Sequence, residues 1–411
     1  MDDIKPPDRS PVRHEPSLEV KPEPEAPPAD DTSSVHGMVD VPPMKKGAAL
    51  KWLRHPVQSI KDYWDKADRR KKIITIAVLA GLVVGGGGVG AYLLLSNEPE
   101  PEPAPIIIEP EEVPPEPTTV PSPLTGVEIE PELAELPVTA VIIENSPDAR
   151  PQSGLYDAGV VFEAMVEGSI TRFLALYQEQ QPEQIGPIRS LRRNHIDWLS
   201  GFDAAVAHVG GSPVALSRVN SQNVKSLTQF NNPEAYRRTN TRFAPHNMYS
   251  SRQALLDVHK KRGYTSSNFS GFVRKTPSPA TTPEATEVSV AISGPLYNVR
   301  FAYDKKTNSY LRFMGGVAHV DEQSNEQINP DVFIVMVANY SRDGIYSVYE
   351  SIGSNTAFIF QDGKVIKGTW EKRKRTENIR FGDENGAPIG LNPGQTWITL
   401  ATNENQVSVK P

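Results

Sequence analysis

Apolar residues are scarce up to residue 72, crowd into positions 73–95, thin out again to 135, and then return in short runs to the C-terminus. The stretch 73–95, IITIAVLAGLVVGGGGVGAYLLL, carries no charge. At about 1.5 Å per residue it spans the hydrocarbon core of a bilayer, roughly 30 Å, so the pattern predicts a single N-terminal transmembrane helix. Gly85 to Gly88 would weaken a helix in water, but lipid offers the backbone no competing partner and tolerates them. A signal peptide is disfavoured, since 72 residues precede the stretch and no convincing Ala-x-Ala site follows.

From residue 136 the periodicity changes. Val138–Ile143, Val160–Ala164, Arg172–Tyr177 and Asp203–Val209 read as strands, while Asn194–Leu199 and Ser251–Lys261 have helical spacing. Strands alternating with helices predict a mixed, layered α/β domain over 136–275. Lys275 to Pro283, with prolines at 277, 279 and 283, introduces a linker over 276–286. Beyond it the pattern is almost all strand: Glu287–Ile292, Asn298–Tyr303, Tyr310–Phe313, Val332–Val337, Tyr346–Tyr349, Ala357–Phe360, Thr369–Lys372 and Thr396–Ala401. Asp362-Gly363 and Asn392-Pro393-Gly394 supply turns. The expectation for 287–411 is a compact, antiparallel, β-rich domain.

Composition sharpens the front half. Residues 1–44 hold ten prolines, ten acidic and four basic residues, a mixture too polar to offset its ordering entropy, and are expected to be disordered. Residues 45–72 carry ten Lys/Arg against three Asp/Glu, with Trp52, Leu53, Val57, Ile60 and Trp64 in one possible helical stripe. They read as a basic juxtamembrane segment, either lying on anionic lipid or acting as a topology signal. Residues 96–135 hold eleven Glu and no Lys or Arg, with ten prolines between 99 and 123. That composition predicts an extended stalk. The charge contrast across 73–95 places residues 1–72 in the cytoplasm and everything beyond 95 outside. Cysteine is absent, so this sequence has no disulfide, no thiolate chemistry and no lipidated Cys.

Arginine is the residue that suggests chemistry. Seven of them, from Arg189 to Arg242, fall within 54 residues that contain three acids, and residues 136–275 carry 16 basic against 11 acidic side chains. Guanidinium forks suit phosphate or carboxylate, so converging arginines predict an anionic ligand. Gly210 and Gly211 beside Ser212 would add backbone N–H groups as an anion nest. Ion pairing with Glu144, Glu163 and Glu167 is the structural alternative. His208, His246 and His319 could join a metal or a Ser212–His–Asp arrangement, but no metal or hydrolase signature is present and a hydrogen-bonding role is favoured. Glu163 and Glu167 could serve as an acid/base pair, with pairing to Arg172 or Arg189 the blander use. Trp370, Trp397, Tyr346 and Tyr349 offer a sugar-stacking face or simply core. No metal and no cofactor is expected. An extracellular domain lacking a basic stripe with interleaved aromatics is not expected to bind nucleic acid.

Several longer motifs go further. Val141-Ile142-Ile143-Glu144-Asn145, Ala149 to Leu155, Glu163 to Phe173, Ile185-Gly186-Pro187-Ile188-Arg189-Ser190, His208 to Pro213 and Ala244-Pro245-His246-Asn247-Met248-Tyr249 run through the first half. Gly368-Thr369-Trp370 and Leu391 to Trp397 follow in the second. Together they resemble the YerB-like bacterial lipoproteins, a family of unknown function, over essentially all of 136–411. The resemblance implies a domain held outside the membrane and brings no activity with it; where that type carries a lipidated Cys, this chain has the helix. The expected role is an envelope protein binding an anionic wall polymer or lipid phosphate through Arg150, Gln152, Arg172, Arg189, Arg192, His208, Gly211, Ser212, His246 and Asn247. The order of elements also looks loosely like the LytR-CpsA-Psr phosphotransferases, which act on polyprenyl-pyrophosphate-linked polymers. Here Ser190 stands where their motif has Asp.

Overall fold

The computed structural model describes residues 64–95 and 118–411, with side chains described for 64–84 and 118–411. The tail 1–44, most of the basic segment and residues 96–117 of the stalk lie outside the described residues. The described residues fall into two units, one holding 64–95 and the other 118–411.

In the first unit a 27-residue helix, α1, runs Arg69–Leu95. Asp68 caps it, its carboxylate accepting the N–H groups of Arg70 and Lys71 at 3.0 Å. Among the described residues no helix is long and apolar enough to cross a membrane. The transmembrane reading of 73–95 therefore rests on sequence.

The second unit is built on a nine-stranded sheet. From the first half come β1 (Thr139–Glu144), β2 (Val160–Met165), β3 (Thr171–Tyr177) and β4 (Ala205–Ala207). A five-stranded sheet uses β5 (Glu287–Val290), β6 (Val299–Asp304), β7 (Ser309–Met314), β8 (Val317–Ala318) and the C-terminal strand. The second half then returns β9 (Val332–Val337), β10 (Gly353–Gln361), β11 (Lys364–Lys372), β12 (Arg380–Gly382) and β13 (Thr396–Ala401) to the large sheet, before β14 (Val407–Lys410) closes the small one. The orders are β12-β11-β10-β9-β13-β2-β3-β1-β4 and β8-β7-β6-β5-β14. Asp362 and Gly363, both at positive φ, make the β10–β11 hairpin turn that their sequence announced.

The β-rich character of the second half is as expected, but two features differ. The linker at 276–286 does not divide the sheet, because β13 pairs in parallel with β2 of the first half. Nor is the second half wholly antiparallel, since β9 and β13 also run parallel. Both strands are buried along their whole length. A strand covered on both faces reads as one continuous apolar run, which is the mark of the parallel centre of a sheet.

Alternation along the strands divides the core in two. Ile142, Phe162 and Leu174 point to one face, where Ile196 and Trp198 of α2 (Arg193–Leu199) and Ala215 of α3 (Pro213–Ser221) cover them. Val141, Val161 and Phe173 point to the other, packed against Leu255 and Val258 of α4 (Arg252–Arg262) and against Val288, Phe301 and Tyr310 of the small sheet. The central sheet is thus a middle layer, and polar groups near its strand ends are held by rigid neighbours.

Candidate functional site

Glu144 ends β1 and stands opposite Arg172 at the start of β3. The turn after β2 brings Glu167 near, and the segment 187–192 runs alongside, with the Glu144 N–H donating to the Pro187 carbonyl and the Arg189 N–H to the Ile142 carbonyl, both at 2.9 Å. This backbone lattice places three arginines around two carboxylates. Arg172 donates to Glu167 Oε1 at 3.1 Å and to the Ser190 carbonyl at 2.9 Å. Arg192 donates through Nε to Glu167 Oε2 at 2.7 Å and through Nη2 to Oε1, and lies over the Tyr346 ring. Burial pulls the Arg172 guanidinium down to about 10, with Arg192 and Arg189 adding their like charge. It stays protonated at neutral pH.

Arg189 is different. Its Nε sits 3.3 Å from Glu144 Oε2 without forming a hydrogen bond, and a quarter of its side chain is exposed. Glu144 is otherwise engaged through Oε1, which accepts from Ser146 Oγ at 2.9 Å and faces His246 Nδ1 at 3.0 Å. His246 Nε2 is 4.0 Å from the exposed Asp148 carboxylate. Arg172, Arg189, Arg192 and His246 do converge, and two carboxylates lie among them.

Arg150 and Gln152 belong to an adjoining buried network. Arg150 donates to Asn145 Oδ1 at 3.1 Å and to the Asn145 carbonyl at 3.0 Å, and stacks over Tyr297. Gln152 donates to the Glu144 carbonyl at 3.0 Å and faces His319 Nε2 at 2.8 Å. His319 Nδ1 contacts Arg312, which holds Glu163. Glu163 also accepts from Trp397 Nε1 at 3.1 Å. Sequence reasoning missed Arg312, although a lone Glu in Val-Val-Phe-Glu-Ala and a lone Arg in Tyr-Leu-Arg-Phe-Met both signal a buried charge that needs a partner.

Other expected residues serve the scaffold. His208 is buried, with Nδ1 2.7 Å from the Gly210 carbonyl and Nε2 3.0 Å from Ser226 Oγ, and burial lowers its pKa. Ser212 caps α3 by accepting the Ala215 N–H, and its own N–H goes to the Leu191 carbonyl at 3.1 Å. The Gly210–Ser212 nest therefore loses one of its donors, and Gly211 packs closely on Leu216 and the Leu191 carbonyl. Asn247 ties its own loop, donating to the carbonyls of Thr239 at 2.9 Å and Arg242 at 3.1 Å. No Ser212–His–Asp triad forms: Asp321 accepts the N–H groups of Tyr156 and Gln323 instead. Glu163, locked to Arg312, is not free for acid/base work. Trp370 and Trp397 are buried, Trp370 donating to the Val337 carbonyl at 2.7 Å, so they form core and not a stacking face. Ser190 Oγ donates to the Val209 carbonyl at 3.0 Å. Among the described residues no group of three or more acidic or histidine side chains is arranged to hold a metal.

A protein of unknown function, DUF3048, is matched by its N-terminal domain over residues 124–265 and by its C-terminal domain over 288–398. The chain belongs to the DUF3048 family. It is similar to a Bacillus subtilis (strain 168) protein described as "Putative lipoprotein YerB", 30% identical over 277 residues, 66% of this chain and 82% of that one. The crystal structure of Bacillus subtilis YerB superposes with a TM-score of 0.65 at 28% identity, covering 71% of this chain and 100% of that chain. The YerB-like resemblance of the sequence is thereby shown. The DUF3048 matches include both the arginine cluster and the strands of the second half that complete its sheet.

Proposed function

We propose that this DUF3048 chain is a single-pass envelope protein whose second unit stands outside the membrane and binds an anionic group of an envelope polymer or lipid phosphate at Arg189. The relative's description as a lipoprotein supports a membrane-anchored setting. The uncharged stretch 73–95, helical in its entirety, supports an anchor of a different kind in this chain.

The observation that carries the binding reading is the charge balance at Arg189. Three guanidinium groups face two carboxylates; Arg192 forks onto Glu167, and Arg172 divides its donors between Glu167 and the Ser190 carbonyl. Arg189 is left partly exposed beside Glu144 with no hydrogen bond to it. An incoming phosphate or carboxylate would meet an unspent fork backed by two further positive charges, the arrangement in which a charge-assisted pair is strong. Arg189→Lys keeps the charge and loses the fork. In a titration of the full chain with an undecaprenyl-phosphate mimic and with wall-polymer fragments, that variant should bind about tenfold more weakly at unchanged melting temperature. A lowered melting temperature with unchanged affinity would assign Arg189 to the scaffold and reject the site.

The phosphotransferase analogy gains no support. Ser190, at the position of the expected Asp, is turned to a backbone carbonyl.

A further inference from the structure

A concavity lined by polar side chains lies beside the loop that carries His246. Its volume is about 650 Å³, within the range of small-molecule sites. Gln184, the segment Arg237 to Thr241, and Glu322 with Gln323 form its walls, and all eight lining residues have polar side chains. Most ligand pockets are largely apolar with a few polar groups. No aromatic or aliphatic side chain lines it; the apolar surface it does offer comes from the carbon atoms of these polar residues.

The charges within it are unequal. Glu322 is the only acid, and it is already committed: it accepts from Ser153 Oγ at 2.7 Å, Tyr249 OH at 3.3 Å and Arg242 Nη2 at 3.1 Å. Arg237 donates to Gln184 Oε1 at 2.8 Å and Arg238 to Asn247 Oδ1 at 2.7 Å, both neutral amides. Among the described residues, neither arginine has a carboxylate partner. Two guanidinium groups are thus pre-oriented by amides and left with their charge uncompensated, beside the Thr239 and Thr241 hydroxyls and the amides of Asn240 and Gln323. Asn247 braces the loop from behind through Thr239 and Arg242.

We propose that this concavity is a ligand site taking a hydroxyl-rich molecule or chain end that bears one anionic group, namely a phosphorylated or carboxylated sugar. The arginines would take the anion, and the hydroxyl and amide side chains would exchange hydrogen bonds with ring hydroxyls. No residue of the arginine cluster at Glu144 lines it, so it stands independently of the site at Arg189.

The test is calorimetric titration of the full chain with four probes: glucose 1-phosphate, glucuronate, glucose and inorganic phosphate. One of the two anionic sugars should bind saturably and at least tenfold more tightly than glucose or phosphate, and the preferred one identifies whether phosphate or carboxylate is read. Arg237→Ala and Gln323→Ala sit on exposed side chains and should each weaken that binding several-fold at unchanged melting temperature, whereas Arg189→Lys should leave it unchanged. Absence of saturable binding by either anionic sugar would overturn the proposal. So would phosphate binding as tightly as glucose 1-phosphate, or binding that survives Arg237→Ala but falls with Arg189→Lys.

Discussion

Arg312 reaches from the small sheet to Glu163 of the large one, its Nη2 lying 2.9 and 2.8 Å from the two carboxylate oxygens, with both side chains fully buried. The same guanidinium sits 4.5 Å from the centre of the Trp397 ring. One ion pair therefore joins β7 to β2 and, through Trp397, to β13. Taking two charges out of water is expensive, so the pair matters chiefly when it is cut. Glu163→Gln leaves Arg312 buried and uncompensated and should destabilise the fold by about 3–5 kcal/mol. The double variant Glu163→Gln/Arg312→Met should lose clearly less than the sum of the single losses, as measured by urea denaturation.

The second prediction concerns pH. Burial alone would raise the Glu167 carboxyl, but the Arg192 hydrogen bond and the charges of Arg172 and Arg192 outweigh it and bring the group from 4.5 down to about 2. A carboxyl depressed by folding contributes stability that is complete above its unfolded value and is lost as pH falls through the folded one. The window is pH 4.5 to 2. Wild type should lose melting temperature across it, and Glu167→Gln should lose markedly less.

A separate loss comes at milder acidity. Burial lowers His259 from 6.5 to about 4, despite its hydrogen bond to the Tyr264 carbonyl, and burial pushes His195, His208 and His319 the same way. The unfolded chain takes up these protons first, so stability falls as pH drops from 6.5 toward 4. His259 Nε2 lies 2.9 Å from the Thr139 hydroxyl and Nδ1 3.0 Å from the Tyr264 carbonyl. His259→Asn should lower stability at pH 7.5 and reduce the slope between pH 6.5 and 4, read from thermal melts across that range.

Much of this fold was legible because its strands are short apolar runs with turn residues between them. Val332–Val337, Tyr346–Tyr349 and Thr396–Ala401 appear with the bounds their sequences suggest. Strand order was not legible, since β13 enters between β9 and a strand, β2, that lies more than 200 residues before it in sequence, and apolar runs carry no label for their neighbours. The helix α3 is hard to see in the sequence for a local reason: the Ser212 hydroxyl beside two glycines suggests chemistry, although Ser followed by Pro is also a helix start. At the site, Arg172, Arg189 and Arg192 were visible as an arginine excess. That Glu144 and Glu167 stand among them depends on the β1–β3 register and on the turn after β2, neither of which composition encodes.

Gly394, in the Asn-Pro-Gly-Gln-Thr-Trp motif, shows why that motif is restrictive. Its φ is +113°, and a Cβ there would collide with the Asp331 carboxylate. That carboxylate accepts the Gln395 N–H at 2.8 Å, while the Gly394 N–H goes to the Thr125 carbonyl at 3.0 Å. Gly394→Ala adds backbone strain of about 1–3 kcal/mol before the collision is counted. It should lower the denaturation midpoint more than Gly344→Ala, where φ is +58° and a Cβ meets nothing within 4 Å.

The final prediction tests the anchor. Ten basic residues lie in 45–72, immediately before the uncharged stretch, and none in the forty residues after it, which hold eleven Glu. Basic flanks are retained in the cytoplasm, so the second unit should be exported. By its sequence, a run of 23 uncharged residues at about 1.5 Å each matches a hydrocarbon core of roughly 30 Å, although no described helix is by itself long and apolar enough to cross one. Between helix and folded unit lie the prolines and glutamates of residues 96–117, whose composition predicts an extended stalk. Protease added to intact cells should therefore release a soluble fragment beginning near residue 118, while an epitope placed at the N-terminus stays protected until lysis. Release of the fragment only after lysis would reverse the orientation. Recovery of the uncleaved chain in the soluble fraction would remove the anchor altogether, and the envelope reading with it.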